Sequence, residues 1–376
     1  MKDPASGGHL DDALVLRFDR PASATGEDVV EFQCHGGRAV VDALLAVLGG
    51  IRGLRQAEPG EFTRRAFENS RIDLTEAEGL ADLLEAETEA QRKTALASAE
   101  GGLRSQIGAW QTQLLDLSAR AERAIDYDED DTEIDAGLIF GCKTLASELS
   151  GWLERPRVEP LRDGVRVVVA GPPNAGKSSL INVIAGSDKA IVTDIPGTTR
   201  DQIEVPLALG GLPILLTDTA GLRETRDVVE AIGVSRAAAL VESADVLIWM
   251  GDTEAPVHPR LIRLHAQADR PERQDAPPGC LAVSSRTRQG LTELLERVAG
   301  LARSILPGEG AIALNRRQAA HLDEARVSLE FASEACDVVI AAEQLRIARG
   351  AFDRLTGRAG VDDLLDSLFA RFCLGK

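Results

Sequence analysis

GPPNAGKS, at residues 171–178, determines the fold class that we expect for this chain. It fits the phosphate-binding loop pattern G-x-x-x-x-G-K-[ST], in which the lysine reaches the outer phosphates and the serine hydroxyl binds Mg²⁺. The β-branched run at 165–170 predicts a buried strand before the loop, and residues 179–185 predict a helix after it. Such a loop turns backbone N–H groups toward a phosphate. The sequence therefore predicts an α/β nucleotide-binding domain with Lys177 and Ser178 at its centre.

Two further motifs indicate which kind of nucleotide-binding domain this is. DTAG at 218–221 follows a strand-like run, so Asp218 can approach the Mg²⁺ while the Gly221 N–H meets a third phosphate. GTT at 197–199 offers a threonine that can bind Mg²⁺ and tie a mobile loop to that phosphate. A D-x-x-G sequence alone is more often an ordinary turn. The three motifs in this order predict a switch GTPase.

The base-recognition motif departs from the N-K-x-D pattern that GTPases usually carry. The best candidate is AQAD at 266–269, in which Ala266 and Gln267 replace the Asn and the Lys. SSR at 284–286 follows the next strand-like run and is similar to the S-A-K loop that closes over the base. We expect Asp269 to preserve a preference for guanine, because an adenine edge would leave its carboxylate without a partner. The alternative is that Asp269 is a surface turn residue and that base selectivity has been lost.

Composition and charge narrow the class of protein. The chain has 376 residues, enough for about two or three domains. Its net charge of −18 disfavours a broad nucleic-acid-binding surface but is compatible with a local basic groove. No signal-peptide core or membrane-spanning apolar run is evident, and the five cysteines are scattered without metal-binding spacing. We therefore expect a cytoplasmic protein without a zinc site or a membrane span.

The pattern along the chain predicts three regions. Residues 1–69 combine strand-like pieces with one helix, and helical periodicity fills residues 70–163. The nucleotide-binding region at 164–304 interrupts this helical sequence, which resumes within 305–376. This pattern predicts one helical domain that is formed from both flanks. The nucleotide-binding domain is inserted between its two parts. In the first region, the strand-like pieces lie at 13–18 and 28–34 and the helix at 39–48.

The flanks carry four motifs that resemble a single family. They are TGEDVVE at 25–31, CHGG at 34–37, EPGEFTRRAF at 58–67 and FCLGK at 372–376. Together they resemble the tRNA modification GTPase family MnmE, also called TrmE, from about residue 10 to the last residue. The resemblance implies an α+β folate-binding and dimerisation domain at 1–69, a discontinuous helical domain at 70–163 and 305–376, and a Ras-like P-loop GTPase domain at 164–304.

The resemblance also implies an activity, cofactors and partners. Members of the family hydrolyse GTP to GDP with Mg²⁺ and K⁺, and they work as homodimers in the cytoplasm without a membrane. With a flavoprotein partner, MnmG, they add an aminomethyl or carboxymethylaminomethyl group to carbon 5 of the wobble uridine of certain tRNAs. The one-carbon unit comes from a formyl or methylene derivative of tetrahydrofolate.

Carried onto this sequence, the family's nucleotide site falls on five segments. They are Asn174, Ala175, Gly176, Lys177, Ser178 and Ser179; Thr193, Asp194, Ile195, Pro196, Gly197, Thr198 and Thr199; Asp218, Thr219, Ala220 and Gly221; Ala266, Gln267, Ala268 and Asp269; and Ser284, Ser285 and Arg286. The resemblance implies Mg²⁺ binding by Ser178 and Thr199. It implies K⁺ binding by Asn174, Thr193, Ile195 and Thr198, where the cation offsets charge that develops in the transition state.

Four residues take catalytic roles under the same resemblance. They are Lys177, Thr199, Asp218 and Glu230. Glu230 lies twelve residues after Asp218, at the place where the family has the glutamate that positions the attacking water. The alternative is that Glu230 is a solvated helix residue.

The folate site carries over onto three residues. Glu31 matches the glutamate that binds the pterin ring, and Lys376 matches the terminal lysine that meets the folate tail. Arg71 stands where the family usually has lysine, which keeps the charge and alters the shape. The chain begins late relative to the family pattern, so we expect an incomplete folate-binding domain, which puts folate affinity and dimer contacts in question. Cys373 matches a family cysteine and is either a reactive thiol or a small apolar residue.

Two other functions stay open at this point. The replacements at Ala266 and Gln267 are compatible with a nucleotide-binding scaffold that turns GTP over very little. A ribosome-assembly GTPase of the Era-like kind would carry an added RNA-binding module rich in lysine and arginine. The C-terminal helices predicted here end without such a module.

Overall fold

The computed structural model describes residues 1–127, 135–187, 190–192, 204–219, 238–252, 254–359 and 362–372. The chain divides into two compact units. The first comprises Met1–Leu84, Ser98–Ala146 and Glu324–Lys376, and the second comprises Glu85–Ala97 and Ser147–Asp323. The motifs predicted to bind nucleotide all belong to the second unit.

Strands and helices are numbered along the chain within the described residues. The strands are β1 (Leu14–Phe18), β2 (Val29–Gln33), β3 (Val165–Ala170), β4 (Ala190–Val192), β5 (Glu204–Leu209), β6 (Leu212–Asp218), β7 (Val246–Met250), β8 (Leu261–Ala266) and β9 (Leu281–Val283). The helices are α1 (Arg38–Gly49), α2 (Glu61–Glu68), α3 (Leu74–Leu84), α4 (Glu89–Ala99), α5 (Gly102–Tyr127), α6 (Ala136–Leu153), α7 (Glu159–Arg162), α8 (Lys177–Ala185), α9 (Leu291–Arg303), α10 (Arg316–Glu334), α11 (Val338–Thr356) and α12 (Asp362–Phe369).

The second unit is built on one sheet, whose described strands run in the order β4-β5-β6-β3-β7-β8-β9. Strand β3 pairs in parallel with β6 and β7, and the pairs β7–β8 and β8–β9 are also parallel. Strands β4 and β5 pair antiparallel, as do β5 and β6. The carboxyl ends of parallel strands meet at one edge of a sheet, where α/β proteins bind their ligands. Four of the predicted nucleotide motifs begin at or directly after the last residues of β3, β6, β8 and β9, and they therefore start at this edge.

The central strands are apolar because both faces of the sheet are covered. Every residue of β6 is buried, and in β3 only Arg166 is partly exposed. The core of this unit includes Val167, Val169, Leu180, Ile184, Leu216, Ile248, Leu294 and Val298. The strand predicted before the P-loop is confirmed. The helix after the loop begins two residues earlier than predicted, at Lys177, because Gly176 serves as its N-cap.

The first unit contains a two-stranded antiparallel sheet and a group of helices. Strands β1 and β2 pair from Leu14 opposite Gln33 to Phe18 opposite Val29. Both strands and the helix α1 match the sequence-based predictions to within one residue at each end. Trp110 of α5 and Phe352 of α11 are fully buried and stack with their ring centroids 6.1 Å apart.

The helical periodicity near the C-terminus is confirmed along α10. Its apolar stripe consists of Leu322, Ala325, Leu329 and Ala332, each with 0% exposure. This spacing of three and four residues is that of one buried helix face. Within the described ranges, none of the helices combines the length and the apolar composition that a membrane-spanning segment needs.

Candidate nucleotide-binding site

The P-loop has a backbone conformation that only certain residues allow. Gly171 has a φ of +151°, and a Cβ at this position would overlap the carbonyl oxygen of Met250. Gly176 has a φ of +94°, and Asn174 adopts a left-handed φ of +60°, which asparagine tolerates better than most residues. The glycines of the G-x-x-x-x-G-K-S pattern are therefore required by the turn itself.

Lys177 is held inside the loop that it belongs to. Its side chain is buried, and Nζ donates hydrogen bonds to the carbonyl oxygens of Gly171 at 3.1 Å and Pro172 at 3.0 Å. It is also the first residue of α8, whose N-terminus carries partial positive charge. An ammonium group and a helix N-terminus at one loop form a site for a phosphate group.

Ser178 and Asp218 lie in direct contact beside the P-loop. Asp218 ends β6 and pairs in register with Val169 of β3, which brings its carboxylate next to the start of α8. The Ser178 hydroxyl donates a hydrogen bond of 2.6 Å to Oδ2 of Asp218, which is 2% exposed. Hydroxyl and carboxylate oxygens are ligands that suit Mg²⁺. The donor set of these two side chains therefore fits the cation that the sequence predicts here.

The next residue along, Thr219, strengthens the same junction. Its hydroxyl donates a hydrogen bond of 3.1 Å to the carbonyl oxygen of Val169, and its side chain is buried. The end of β6 is thus attached to β3 immediately before the P-loop begins.

The AQAD and SSR segments are also brought together. Ala266 ends β8, Gln267 adopts a left-handed φ of +61°, and the Ala268 N–H donates to the carbonyl oxygen of Val283 at 3.2 Å. Because Val283 ends β9, this bond joins the two loops directly after their strands. The two segments therefore lie next to each other at the ends of neighbouring strands.

Asp269 is positioned by a serine from the second loop. The Ser284 hydroxyl donates a hydrogen bond of 2.7 Å to Oδ1 of Asp269 and accepts from the backbone N–H groups of Arg286 at 3.2 Å and Thr287 at 3.1 Å. This hydrogen bond lowers the pKa of the Asp269 carboxyl below its ordinary value. Asp269 is therefore a hydrogen-bond acceptor that Ser284 orients, and its ionised form is favoured.

The Gln267 side chain extends from the base-recognition loop toward the P-loop. A Cβ built on Gly176 would lie 4.0 Å from Nε2 of Gln267, so this side chain reaches the P-loop. A small cleft of about 140 Å³ separates the two loops. Its lining includes Asn174, Ala175, Asp252, Ala266, Gln267 and Arg273. Asp252 and Arg273 were not singled out from the sequence, where no motif marks them.

Several predicted site residues lie outside the described residues. They are Thr193, Asp194, Ile195, Pro196, Gly197, Thr198, Thr199, Ala220, Gly221, Glu230, Cys373 and Lys376. The two remaining folate candidates belong to the first unit. Glu31 is exposed on β2, and the side-chain stem of Arg71 packs beside Gly26 of the TGE turn, 3.1 Å from where a Cβ would stand.

Comparison with known proteins identifies the family. The family model described as "MnmE helical domain" matches residues 74–373, and that described as "GTP-binding protein TrmE N-terminus" matches residues 1–71. Among solved structures, the G domain of the T. maritima FeoB iron transporter is 27% identical and covers 37% of this chain and 98% of its own. The TM-score of this match is 0.27.

Curated relatives align over nearly the whole chain, and each carries the name tRNA modification GTPase MnmE. The protein from Rhizorhabdus wittichii is 52% identical over 100% of this chain and 86% of its own length. The protein from Sphingopyxis alaskensis is 51% identical, with 98% of this chain and 92% of its own length aligned. The resemblance noted in the sequence is confirmed, and this chain belongs to the MnmE family of tRNA modification GTPases.

Proposed function

We propose that this chain is a potassium-dependent GTPase that acts with the flavoprotein MnmG in modifying carbon 5 of the tRNA wobble uridine. Family membership supports the reaction class. The structural observation that carries the proposal is the contact between Ser178 and Asp218 beside the buried Lys177, at the same sheet edge as Asp269. This arrangement offers groups for phosphates, a divalent cation and a base within one site.

The phosphate end of the site combines three kinds of group. Lys177 and the N-terminal N–H groups of α8 would hold the outer phosphates. Because the Ser178 hydroxyl donates a hydrogen bond to Asp218, the lone pairs of its oxygen remain available to Mg²⁺. Thr199 would supply a second Mg²⁺ ligand. When bound, Mg²⁺ and K⁺ supply positive charge that offsets the negative charge developing on the phosphates during cleavage.

Asn174 is the described residue that we assign to the K⁺ site. It is exposed in the P-loop, and its left-handed backbone conformation is one that asparagine can adopt. Thr193, Ile195 and Thr198 would complete the site from the switch loop, and Glu230 would orient the attacking water.

The base end of the site favours guanine. The Asp269 carboxylate would accept the two N–H groups on the Watson–Crick edge of guanine, while Ser284 keeps the carboxylate ionised and oriented. Gln267 takes the place of the usual lysine and reaches the P-loop with a shorter, uncharged side chain. We therefore expect guanine selectivity with weaker binding than a complete N-K-x-D motif would give.

The remaining parts of the proposal rest on the family models that match 1–71 and 74–373. Glu31, Arg71 and Lys376 would bind the tetrahydrofolate derivative that supplies the one-carbon unit. The chain would work as a homodimer in the cytoplasm, and hydrolysis would reset the switch loops of the tRNA-modifying assembly.

The test is a GTPase assay in K⁺ and in Na⁺, with the wild-type chain and Asn174→Ala. We expect phosphate release to be faster in K⁺ and the cation preference to disappear in the variant, while both proteins still bind GDP. The modification step is tested by adding MnmG and a bulk tRNA pool. Turnover that does not respond to the cation would contradict the potassium assignment, and the absence of modified wobble uridine would contradict the proposed pathway.

A further inference from the structure

We propose that Arg273 and Asp252 position the base-recognition loop and thereby set its discrimination between bases. The inference rests on the guanine binding proposed above. Arg273 and Asp252 are positioning residues, because they act through the backbone of the AQAD loop and not on the nucleotide itself.

The loop needs an anchor at its first residue. Ala266 stands where GTPases usually carry asparagine, and a methyl side chain cannot make a hydrogen bond. The backbone carries this role instead. Nε of Arg273 donates a hydrogen bond of 2.8 Å to the carbonyl oxygen of Ala266, which is the last residue of β8. A charged donor on a backbone carbonyl is a stronger attachment than a neutral one.

Arg273 is itself fixed by a two-pronged ion pair. Nη1 donates to Oδ2 of Asp252 at 2.9 Å, and Nη2 donates to Oδ1 at 3.0 Å. These hydrogen bonds lower the pKa of the Asp252 carboxyl. Asp252 follows β7 by two residues, and Met250 of β7 pairs with Leu264 of β8. One guanidinium group therefore ties together the ends of two neighbouring strands.

His265 packs into the same network and contacts both the side chain and the backbone of Arg273. The ring is buried, and Nε2 lies 3.0 Å from the carbonyl oxygen of Arg273. Nδ1 lies 3.3 Å from Nη2 of Arg273 and 3.3 Å from Oδ1 of Asp252. A ring with its proton on Nε2 donates to the Arg273 carbonyl and accepts from Nη2 of Arg273, and no hydrogen bond then joins Nδ1 to Oδ1 of Asp252. The side chain and the backbone of Arg273 are thus both held.

The position of this network explains why it affects the base and not only stability. Arg273 and Asp252 line the cleft between the AQAD loop and the P-loop, opposite Asn174 and Ala175. The other end of the loop is fixed by the hydrogen bond between Ser284 and Asp269. The loop that carries this carboxylate is therefore held at both ends. Without Arg273 the start of the loop loses its side-chain anchor, and small displacements of a reading group reduce selectivity.

The experiment compares the binding of GDP and IDP by calorimetry. IDP lacks the exocyclic amino group of guanine, so the ratio of the two affinities reports how well Asp269 is placed. The variants are Arg273→Ala, Asp252→Ala and their combination. We expect each single change to weaken GDP binding about tenfold and to lower the GDP-to-IDP ratio. The double variant should bind GDP about as weakly as either single variant, because each single change already removes the same ion pair.

Arg297→Ala is the matched control. Arg297 pairs with Glu293 on the surface of α9 at 2.7 Å, so its loss removes the same charge and also breaks an ion pair. Both the affinity for GDP and the ratio should stay unchanged in this variant. If the Arg273 and Asp252 variants only lost stability, the midpoint of their thermal unfolding would fall while the ratio of their GDP and IDP affinities stayed unchanged.

The possible outcomes separate the inference from the function beneath it. If the wild-type chain does not bind GDP, the proposed function is wrong and the inference falls with it. If it binds GDP and IDP equally, Asp269 does not read the amino group of guanine, and the inference is overturned while the GTPase proposal stands. If the wild-type chain prefers GDP and Arg273→Ala keeps the same ratio, only the inference is overturned. Should Arg273→Ala fail to fold, Asp252→Asn decides the matter, because it weakens the ion pair with little change of shape. An unchanged ratio in that variant would overturn the inference.

Discussion

The Ser178 hydroxyl donates a 2.6 Å hydrogen bond to the buried carboxylate of Asp218. The two residues lie forty positions apart, and they meet because β3 and β6 are parallel neighbours whose ends coincide. The contact places a hydroxyl and a carboxylate at the start of α8. This site is where the sequence predicts Mg²⁺ between the P-loop and the D-x-x-G motif.

Ser178→Ala should lower GTP hydrolysis by about a hundredfold, because the change removes a predicted Mg²⁺ ligand. It also removes a donor from a carboxylate that is 2% exposed, which should cost about 1–3 kcal/mol of folding free energy. Phosphate release and urea unfolding measure the two effects. Ser178→Thr keeps the hydroxyl and is the control, so a loss of equal size in both variants would argue against the assigned role.

Gly171→Ala should destabilise the second unit by more than about 2 kcal/mol and abolish nucleotide binding. A Cβ at this position overlaps the Met250 carbonyl, and the φ of +151° is unfavourable for alanine. Thermal unfolding and GDP titration check the prediction.

Gly300→Ala is the control, because it makes the same glycine-to-alanine substitution at a position where the added methyl group has room. Gly300 lies in α9, and a Cβ there meets nothing within 4 Å. Because glycine weakens a helix interior, this variant should gain about 0.5–1 kcal/mol. Equal stability of the two variants would contradict the steric argument.

The stability of the first unit should depend on pH through Glu61. Arg55 donates two hydrogen bonds of 2.8 Å to the Glu61 carboxylate, and the Glu58 N–H donates a third of 2.8 Å. The hydrogen bonds from Arg55 are the main cause that lowers the pKa of Glu61 from its ordinary 4.5 to about 2. A carboxyl whose pKa falls on folding stabilises the fold fully above 4.5, and this contribution is lost as the pH falls to about 2.

Glu61→Gln should therefore lower the free energy of unfolding by about 1 kcal/mol near neutral pH, a value that allows for solvent screening. The difference from the wild-type chain should shrink as the pH approaches 2, where Glu61 becomes protonated. Urea unfolding of both proteins near neutral pH and near pH 2 measures this difference in the free energy of unfolding. Glu293→Gln breaks an exposed pair on α9 and should show almost no difference at either pH. A difference for Glu61→Gln that is constant with pH would contradict the mechanism.

The P-loop could be predicted in detail because its sequence is dictated by local geometry. Gly171 and Gly176 are required by their backbone conformation, and the apolar strand before them is buried as its composition predicts. The meeting of Asp269 with Ser284 was predictable for a similar reason, since both follow strands that end at one edge of the sheet. The family was predictable from the motifs in the flanks.

The Arg273–Asp252 pair was not predictable, because the two residues lie 21 positions apart and neither belongs to a motif. Their contact depends on the short turn Pro271–Arg273, which bends the chain back toward the end of β7. The division of the chain into three domains stays a prediction. The switch-loop residues 193–199 and Glu230 lie outside the described residues, so their roles also stay predictions.

Phosphate release from GTP and from ATP, measured with Mg²⁺ and K⁺ for the wild-type chain and Lys177→Ala, decides whether this site is a GTPase centre. The wild-type chain should release phosphate from GTP only when Mg²⁺ is present and should leave ATP almost untouched. Lys177→Ala should lower the rate of phosphate release from GTP by about a hundredfold or more, because the change removes the ammonium group at the P-loop. Equal release from the two nucleotides, or none from GTP, would contradict the assignment of this site.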